Sequence, residues 1–301
     1  MWLILSFLSA VLLGFYDVAK KRSLQGNAVL PVLFLNTLFS FLVFMPLILL
    51  SLSGSRLLEG TILYLPQAPL RAHMFIFLKS LLVLSSWVLG YIGMKHLPLS
   101  IVGPVNATRP VMVLLGALLI FGEQLNLLQW IGVLLAILSF FLLSLSGRKE
   151  GIDFLRSPWA WCVVGAAVLG AVSGLYDKYL LSLLSLPAVM VQAWNNFYQV
   201  LVMGPVLLLL WYPQRKSAPF KWRWSILLIS LFICAADFSY FTSLSLDGSM
   251  VSVVSMVRRS SVAVSFLYAA LVLKEKNLKS KTLDLLLVLL GLVFLALGSA
   301  S

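Results

Sequence analysis

Gly14-Phe15-Tyr16-Asp17 recurs as Gly174-Leu175-Tyr176-Asp177, 160 residues further along a chain of 301. Each copy closes a hydrophobic run. A carboxylate in such a place is costly in lipid, so its recurrence at matched positions in two halves points to a duplicated membrane protein. More matches follow in the same order. Asn36 and Pro46 find partners in Asn195 and Pro205, Arg109 in Arg259, and Glu123 in Glu275, at offsets that drift between 150 and 159 residues. The shared order carries the signal, and the drift reads as small insertions.

Composition agrees. The chain is 61% hydrophobic and 11% charged, less than half the charge of an ordinary soluble domain. That excludes a soluble protein. The net charge of +12 would suggest nucleic acid in a soluble chain. Here most cations lie between apolar runs, the pattern of loops that set membrane topology, so no nucleic-acid partner is expected. Cys162 and Cys234 sit inside apolar runs as small hydrophobes, and no His/Cys/carboxylate cluster has metal-ligand spacing. No metal and no cofactor are expected.

A bilayer-spanning helix needs about 20 apolar residues. Ten such segments are predicted: 1–20, 29–51, 73–94, 99–121, 125–146, 158–180, 187–211, 223–245, 249–273 and 281–299. The fold class is therefore an all-α polytopic membrane protein with ten transmembrane helices. It divides into two five-helix repeats, 1–147 and 157–301. Five is odd, so the second repeat enters from the opposite face and the repeats are inverted. That arrangement places a substrate site near the midplane, at the repeat interface. Segment 1 lacks a basic start and a small-x-small cleavage site, so it reads as a span and not a signal peptide. Gaps after odd-numbered segments hold fifteen of the 22 lysines and arginines, and the opposite gaps hold three. This bias puts the odd-numbered loops in the cytoplasm and both termini outside.

Pro110 and the run to Gly122-Glu123, then Gly132, in the first half, with Lys274-Glu275 and Gly291 in the second, carry a resemblance. The chain resembles the drug/metabolite transporter superfamily and, within it, the EamA-type permeases. The likeness covers essentially the whole chain through short motifs. It implies ten helices as five plus five and transport of small metabolites, often export. Glu275 follows Lys where the family more often has Gly, so the halves have diverged. In the family this glutamate is a signature, and its expected work is helix capping or pairing with basic loop residues.

Three arginines lie deep in spans. Arg109 is about ten residues into segment 4 and Arg258-Arg259 about nine into segment 9, near the midplane at ~1.5 Å rise per residue. A guanidinium stays charged and offers a planar fork to carboxylate or phosphate. Either a substrate anion or an internal aspartate must neutralise it. The positions also resemble the sugar-phosphate and nucleotide-sugar branch of the superfamily, whose fourth- and ninth-span basic residues bind phosphate. That resemblance is positional.

Asn36, Asn195 and Tyr240 are further candidate substrate contacts, with the asparagines equally suited to joining helices. Tyr16, Asp17, Tyr176, Asp177 and the mid-span Asp237 are candidates for gating or proton coupling. Asp17 could equally pair with Lys20 or Lys21 at helical spacing. Lys79, in segment 3, reads as snorkelling to an interface or as a substrate contact.

The chain has no nucleotide-binding motif, so the expected function is a secondary transporter of a small anionic metabolite. Its partners would be that small molecule, protons as a candidate co-substrate, and the lipid bilayer. A monomer or a homodimer fits. A flippase for a phosphate-bearing lipid carrier is the alternative, and a membrane-embedded enzyme ranks below both. The expected location is a bacterial inner membrane.

Overall fold

The computed structural model describes all residues except 1, 62, 122–125, 149–155, 245–256, 274–277 and 301. Its helices are α1 (Trp2–Leu24), α2 (Val29–Leu52), α3 (Leu70–His96), α4 (Leu99–Ala107), α5 (Arg109–Phe121), α6 (Leu127–Arg148), α7 (Pro158–Lys178), α8 (Ala188–Val206), α9 (Ser225–Leu244), α10 (Ser261–Leu271) and α11 (Leu278–Ala300). No strand occurs among the described residues. Five helical segments there are long and apolar enough to cross a membrane: Trp2–Leu24, Val29–Leu52, Leu70–His96, Pro158–Leu181 and Ala188–Gln214. The protein is an integral, multi-pass membrane protein.

Local sequence sets the helix ends. Pro69, Pro98 and Pro187 each occupy the residue before a helix, where a fixed φ and a missing N–H are harmless. Ser157 accepts from Ala160 N–H, with Pro158 opening α7 behind it. Pro205 lies inside α8, which passes into a π-turn over Leu207–Trp211. α7 likewise ends in a π-turn, Tyr179–Leu183. Such turns mark places where the regular backbone ladder is disturbed.

The predicted segments 4 and 9 are not continuous helices. Thr108 separates α4 from α5, and Ser260 separates a helical turn at 257–259 from α10. Each hydroxyl turns back onto its own chain. Thr108 Oγ1 donates to Val105 O at 2.7 Å and Ser260 Oγ to Val257 O at 2.6 Å, competing with the helical ladder. The two breaks are 152 residues apart. Arg109 is the first residue after one break, whereas Arg258 and Arg259 are the last before the other.

The most extensive packing joins residues before 148 to residues after 157. α1 lies on α9 and α10, α2 on α8 and α9, α3 on α7 and α8, α4 on α10, α5 on α7, and α6 on α11. Small residues allow the closest approaches, as expected where helices meet in lipid. A Cβ at Gly132 of α6 would fall 2.8 Å from the Gly291 carbonyl of α11. Hydroxyls cross-link the same pairs. Ser9 donates to Ala236 O at 2.7 Å, and Ser86 donates to Ala166 O at 2.8 Å.

Candidate functional site

The two helix breaks gather the deep cations. Arg109 begins α5, and its guanidinium rests against α7 at Gly170. A Cβ on Gly170 would lie 2.7 Å from Arg109 Cζ and 2.8 Å from Nη1. Arg109 Nε is buried without a hydrogen-bond partner. Arg258 pairs with Asp237 of α9, and its guanidinium lies 4.4 Å from the centre of the Tyr240 ring, a cation–π distance. Arg259 is within electrostatic reach of Arg109, Arg258, Tyr240 and Asp17.

Asp17 anchors the near side of this cluster. It forms a 3.1 Å ion pair with Lys20, both largely buried. The Lys20 ammonium lies 4.4 Å from the Tyr16 ring and 5.2 Å from the Tyr91 ring, and it also feels Arg109. The helical pairing expected for Asp17 is therefore present, and its partner is a buried cation facing inward. Asp237 likewise serves as an arginine partner.

Asp177 has a different neighbour. Lys79 of α3 reaches it across the halves and forms an ion pair, with Lys79 10% and Asp177 36% exposed. Lys79 thus neither snorkels nor stands alone. Tyr176, beside Asp177, donates to Phe75 O at 3.2 Å and stacks on Tyr179. Nearby, the Tyr198 hydroxyl and His73 Nδ1 are 2.9 Å apart.

The two asparagines act in matched fashion. Ser230 of α9 donates to Asn36 Oδ1 at 3.2 Å, and Ser80 of α3 donates to Asn195 Oδ1 at 3.1 Å. These bonds hold α2 to α9 and α8 to α3. Sequence reasoning missed Gln199 of α8, which is wholly buried with both side-chain polar atoms lacking a partner. Its only signal was an amide in an apolar run. It also missed Gly170, whose role depends on Arg109 arriving from the other half. Gly122-Glu123 and Lys274-Glu275 lie outside the described residues. No group of His, Cys, Asp and Glu among the described residues could hold a metal ion.

The model of the EamA-like transporter family matches residues 1–145 and again 157–297. The chain belongs to the EamA-like transporter family. It is also 26% identical over 172 residues to an uncharacterized transporter of Archaeoglobus fulgidus. That alignment covers 54% of this EamA-like chain and 56% of the relative, so the chain spans little more than half the relative's length. A solved crystal structure superimposes over 98% of this chain and 96% of its own, with TM-score 0.65 at 14% identity, a likeness of fold alone. Both the family and the relative point to membrane transport rather than catalysis.

Proposed function

We propose that this EamA-like protein is a secondary transporter of a small anionic metabolite, bearing phosphate or carboxylate, held by Arg109, Arg258 and Arg259. One observation carries the reading. Lys20, Arg109, Arg258 and Arg259 form one electrostatically linked cluster with Asp17 and Asp237. Four cations meet two carboxylates there, leaving two positive charges unmatched among the described residues. Buried charge of one sign is costly in a membrane unless a counter-charge arrives. A substrate anion supplies it, and arginine forks give it direction.

The mechanism is alternating access between two inverted five-helix repeats. The packing supports this, because its pattern maps onto itself when the halves are exchanged. The α1–α9 contact becomes α7–α3, α2–α9 becomes α8–α3, and α1–α10 becomes α7–α5. Tyr16 and Asp17, with Lys20, form the cytoplasmic gate. Tyr176 and Asp177, with Lys79, form the outer one. Asp237 or Asp177 couples protons by losing its charge in one conformation. On this reading both termini lie outside, as the basic-loop bias suggests, and the membrane is a bacterial plasma membrane.

The test is a thermal-shift screen of the purified protein in detergent. Inorganic phosphate, phosphorylated metabolites and carboxylates raise the melting temperature, and amines and neutral drugs do not. Arg109→Gln and Arg259→Gln each weaken the anion response by roughly tenfold or more, as loss of a charged hydrogen bond of ~1.5–3 kcal/mol requires. Stabilisation by amines or neutral drugs, with none by anions, would mean the arginines are structural.

A further inference from the structure

We infer that Arg22, Lys221 and Arg223, with the rings of Trp222 and Trp224 beside them, hold the headgroup phosphate of an anionic phospholipid where the end of α1 meets the start of α9. The inference goes beyond the transport reading and is independent of what the buried arginines bind.

Ser23 Oγ and Ser225 Oγ are 2.7 Å apart and join the two helix ends. The Asn27 side chain, in the turn after α1, clamps the backbone of Lys221. Its Nδ2 donates to Lys221 O at 2.8 Å, and its Oδ1 accepts from Lys221 N–H at 2.9 Å. Arg223 Nη1 donates to Arg22 O at 2.5 Å. These bonds fix Lys221-Trp222-Arg223-Trp224 against the end of α1. Arg22, Lys221 and Arg223 therefore share one rim of the bundle.

Cations and aromatic residues alternate in that stretch. Trp222 and Trp224 are in edge contact with ring centres 5.9 Å apart, so they lie on one side. Trp222 also meets Phe39 edge-on at 6.1 Å. Phe39 stands ten positions past the start of α2, a helix long and apolar enough to cross a membrane. Trp222 is nevertheless 48% exposed and Trp224 74%. At that depth the open face of Trp222 meets lipid. Tryptophan favours this boundary, where its ring is apolar and its N–H wet.

The cations have no counter-charge. No Asp or Glu occurs between Asp17 and Glu59, or between Asp177 and Asp237. Arg22, Lys221 and Arg223 form no ion pair among the described residues. Lys21, next in the chain, is engaged elsewhere, donating to Met94 O and Leu97 O at the end of α3. Arg22 and Lys221 are exposed, and Arg223 gives Arg22 O one of its five N–H donors. An anionic, acceptor-only group seated above tryptophan rings matches this set. The phosphate of a phospholipid sits at that height, and its acyl chains cover the rings. A soluble anion gains nothing from the rings, and the choline of a zwitterionic lipid brings a cation of its own.

The experiment titrates the full chain in detergent with dioleoyl-phosphatidylglycerol or dioleoyl-phosphatidylcholine and reads the melting temperature. The parent should gain more from phosphatidylglycerol at equal mole fraction. Arg22→Gln and Lys221→Gln alter exposed side chains, so each should fold and melt like the parent without added lipid. Each should raise the phosphatidylglycerol fraction needed for half the gain roughly fivefold. Arg22→Gln/Lys221→Gln should erase the preference over phosphatidylcholine. Arg56→Gln, which removes an exposed cation elsewhere, should leave it intact. Inorganic phosphate, run in parallel, should act equally on the parent and the double variant. The inference is overturned if the parent shows no preference for phosphatidylglycerol, if the preference survives in the double variant, or if Arg56→Gln erases it as well. Loss of the inorganic phosphate response in the double variant would also overturn it, because the site would then serve a soluble anion. A parent with no phosphate response at all would count against the anion reading alone.

Discussion

The guanidinium of Arg109 rests on the backbone of Gly170, with Cζ 2.7 Å from where a Cβ would stand. Ala10, 160 positions earlier, carries a Cβ and is buried, and the residue following the second helix break is Ser261. The larger side chain and the smaller neighbour occur together. Substituting Gly170→Val should push Arg109 aside at an overpacking cost of about 1–3 kcal/mol. The thermal-shift response to inorganic phosphate should fall by roughly tenfold, while Gly204→Ala, with no atom near its Cβ position, leaves it unchanged.

Asp237 holds Arg258, and the pair separates stability from anion binding. Asp237→Asn leaves a largely buried arginine unpaired. The loss should approach the lower end of the ~3–5 kcal/mol seen when a buried pair is broken, because Asp237 is 28% exposed. The same change frees one positive charge at the cluster. Phosphate titration by calorimetry should therefore show tighter binding in a protein that melts lower without ligand.

Lys79 and Asp177 should respond unequally. Asp177 is 36% exposed and can hydrate, whereas Lys79 is 10% exposed and cannot. Asp177→Asn should therefore cost more stability than Lys79→Met, and Lys79→Met/Asp177→Leu should recover most of the loss. A melting series across the four proteins measures this. Equal losses from the two single changes would contradict a pair buried on one side only.

The Asn36–Ser230 and Asn195–Ser80 bonds should each be worth about 0.6 kcal/mol, up to ~1.7, as membrane-interior hydrogen bonds usually are. Double-mutant cycles with alanine at each pair report the coupling. Ser80→Ala should leave the phosphate response intact, since it joins helices and touches no arginine.

Much of this was readable in the sequence, for physical reasons. Apolar runs of spanning length and cations confined to the gaps between them state the membrane class directly. The arginines stood out because charge in lipid is costly wherever it occurs. The helix breaks did not stand out. Thr108 and Ser260 are single hydroxyls in apolar runs, and such residues also occur in unbroken membrane helices. The partner of Asp177 was equally hidden, since Lys79 lies 98 positions away and only the packing of α3 on α7 joins them. For Asp17 the partner was visible because it sits on the same helix. Gln199 was invisible as a candidate because an amide in a span is unremarkable until its neighbours are known to leave it unpaired.

The crossing of the halves bears on how the chain is made. Every one of the main interfaces of α1, α2 and α3 is with helices synthesised after residue 157, and the Ser9 hydroxyl waits for a carbonyl 227 positions downstream. A ribosome releasing the first five segments delivers helices into lipid with their polar faces still unanswered. Assembly is thus delayed until synthesis is almost finished, and the early helices depend on neighbouring lipid or insertion factors in the meantime. By the same logic, the chain cut between residues 149 and 155 should regain its native form only when both fragments share a membrane.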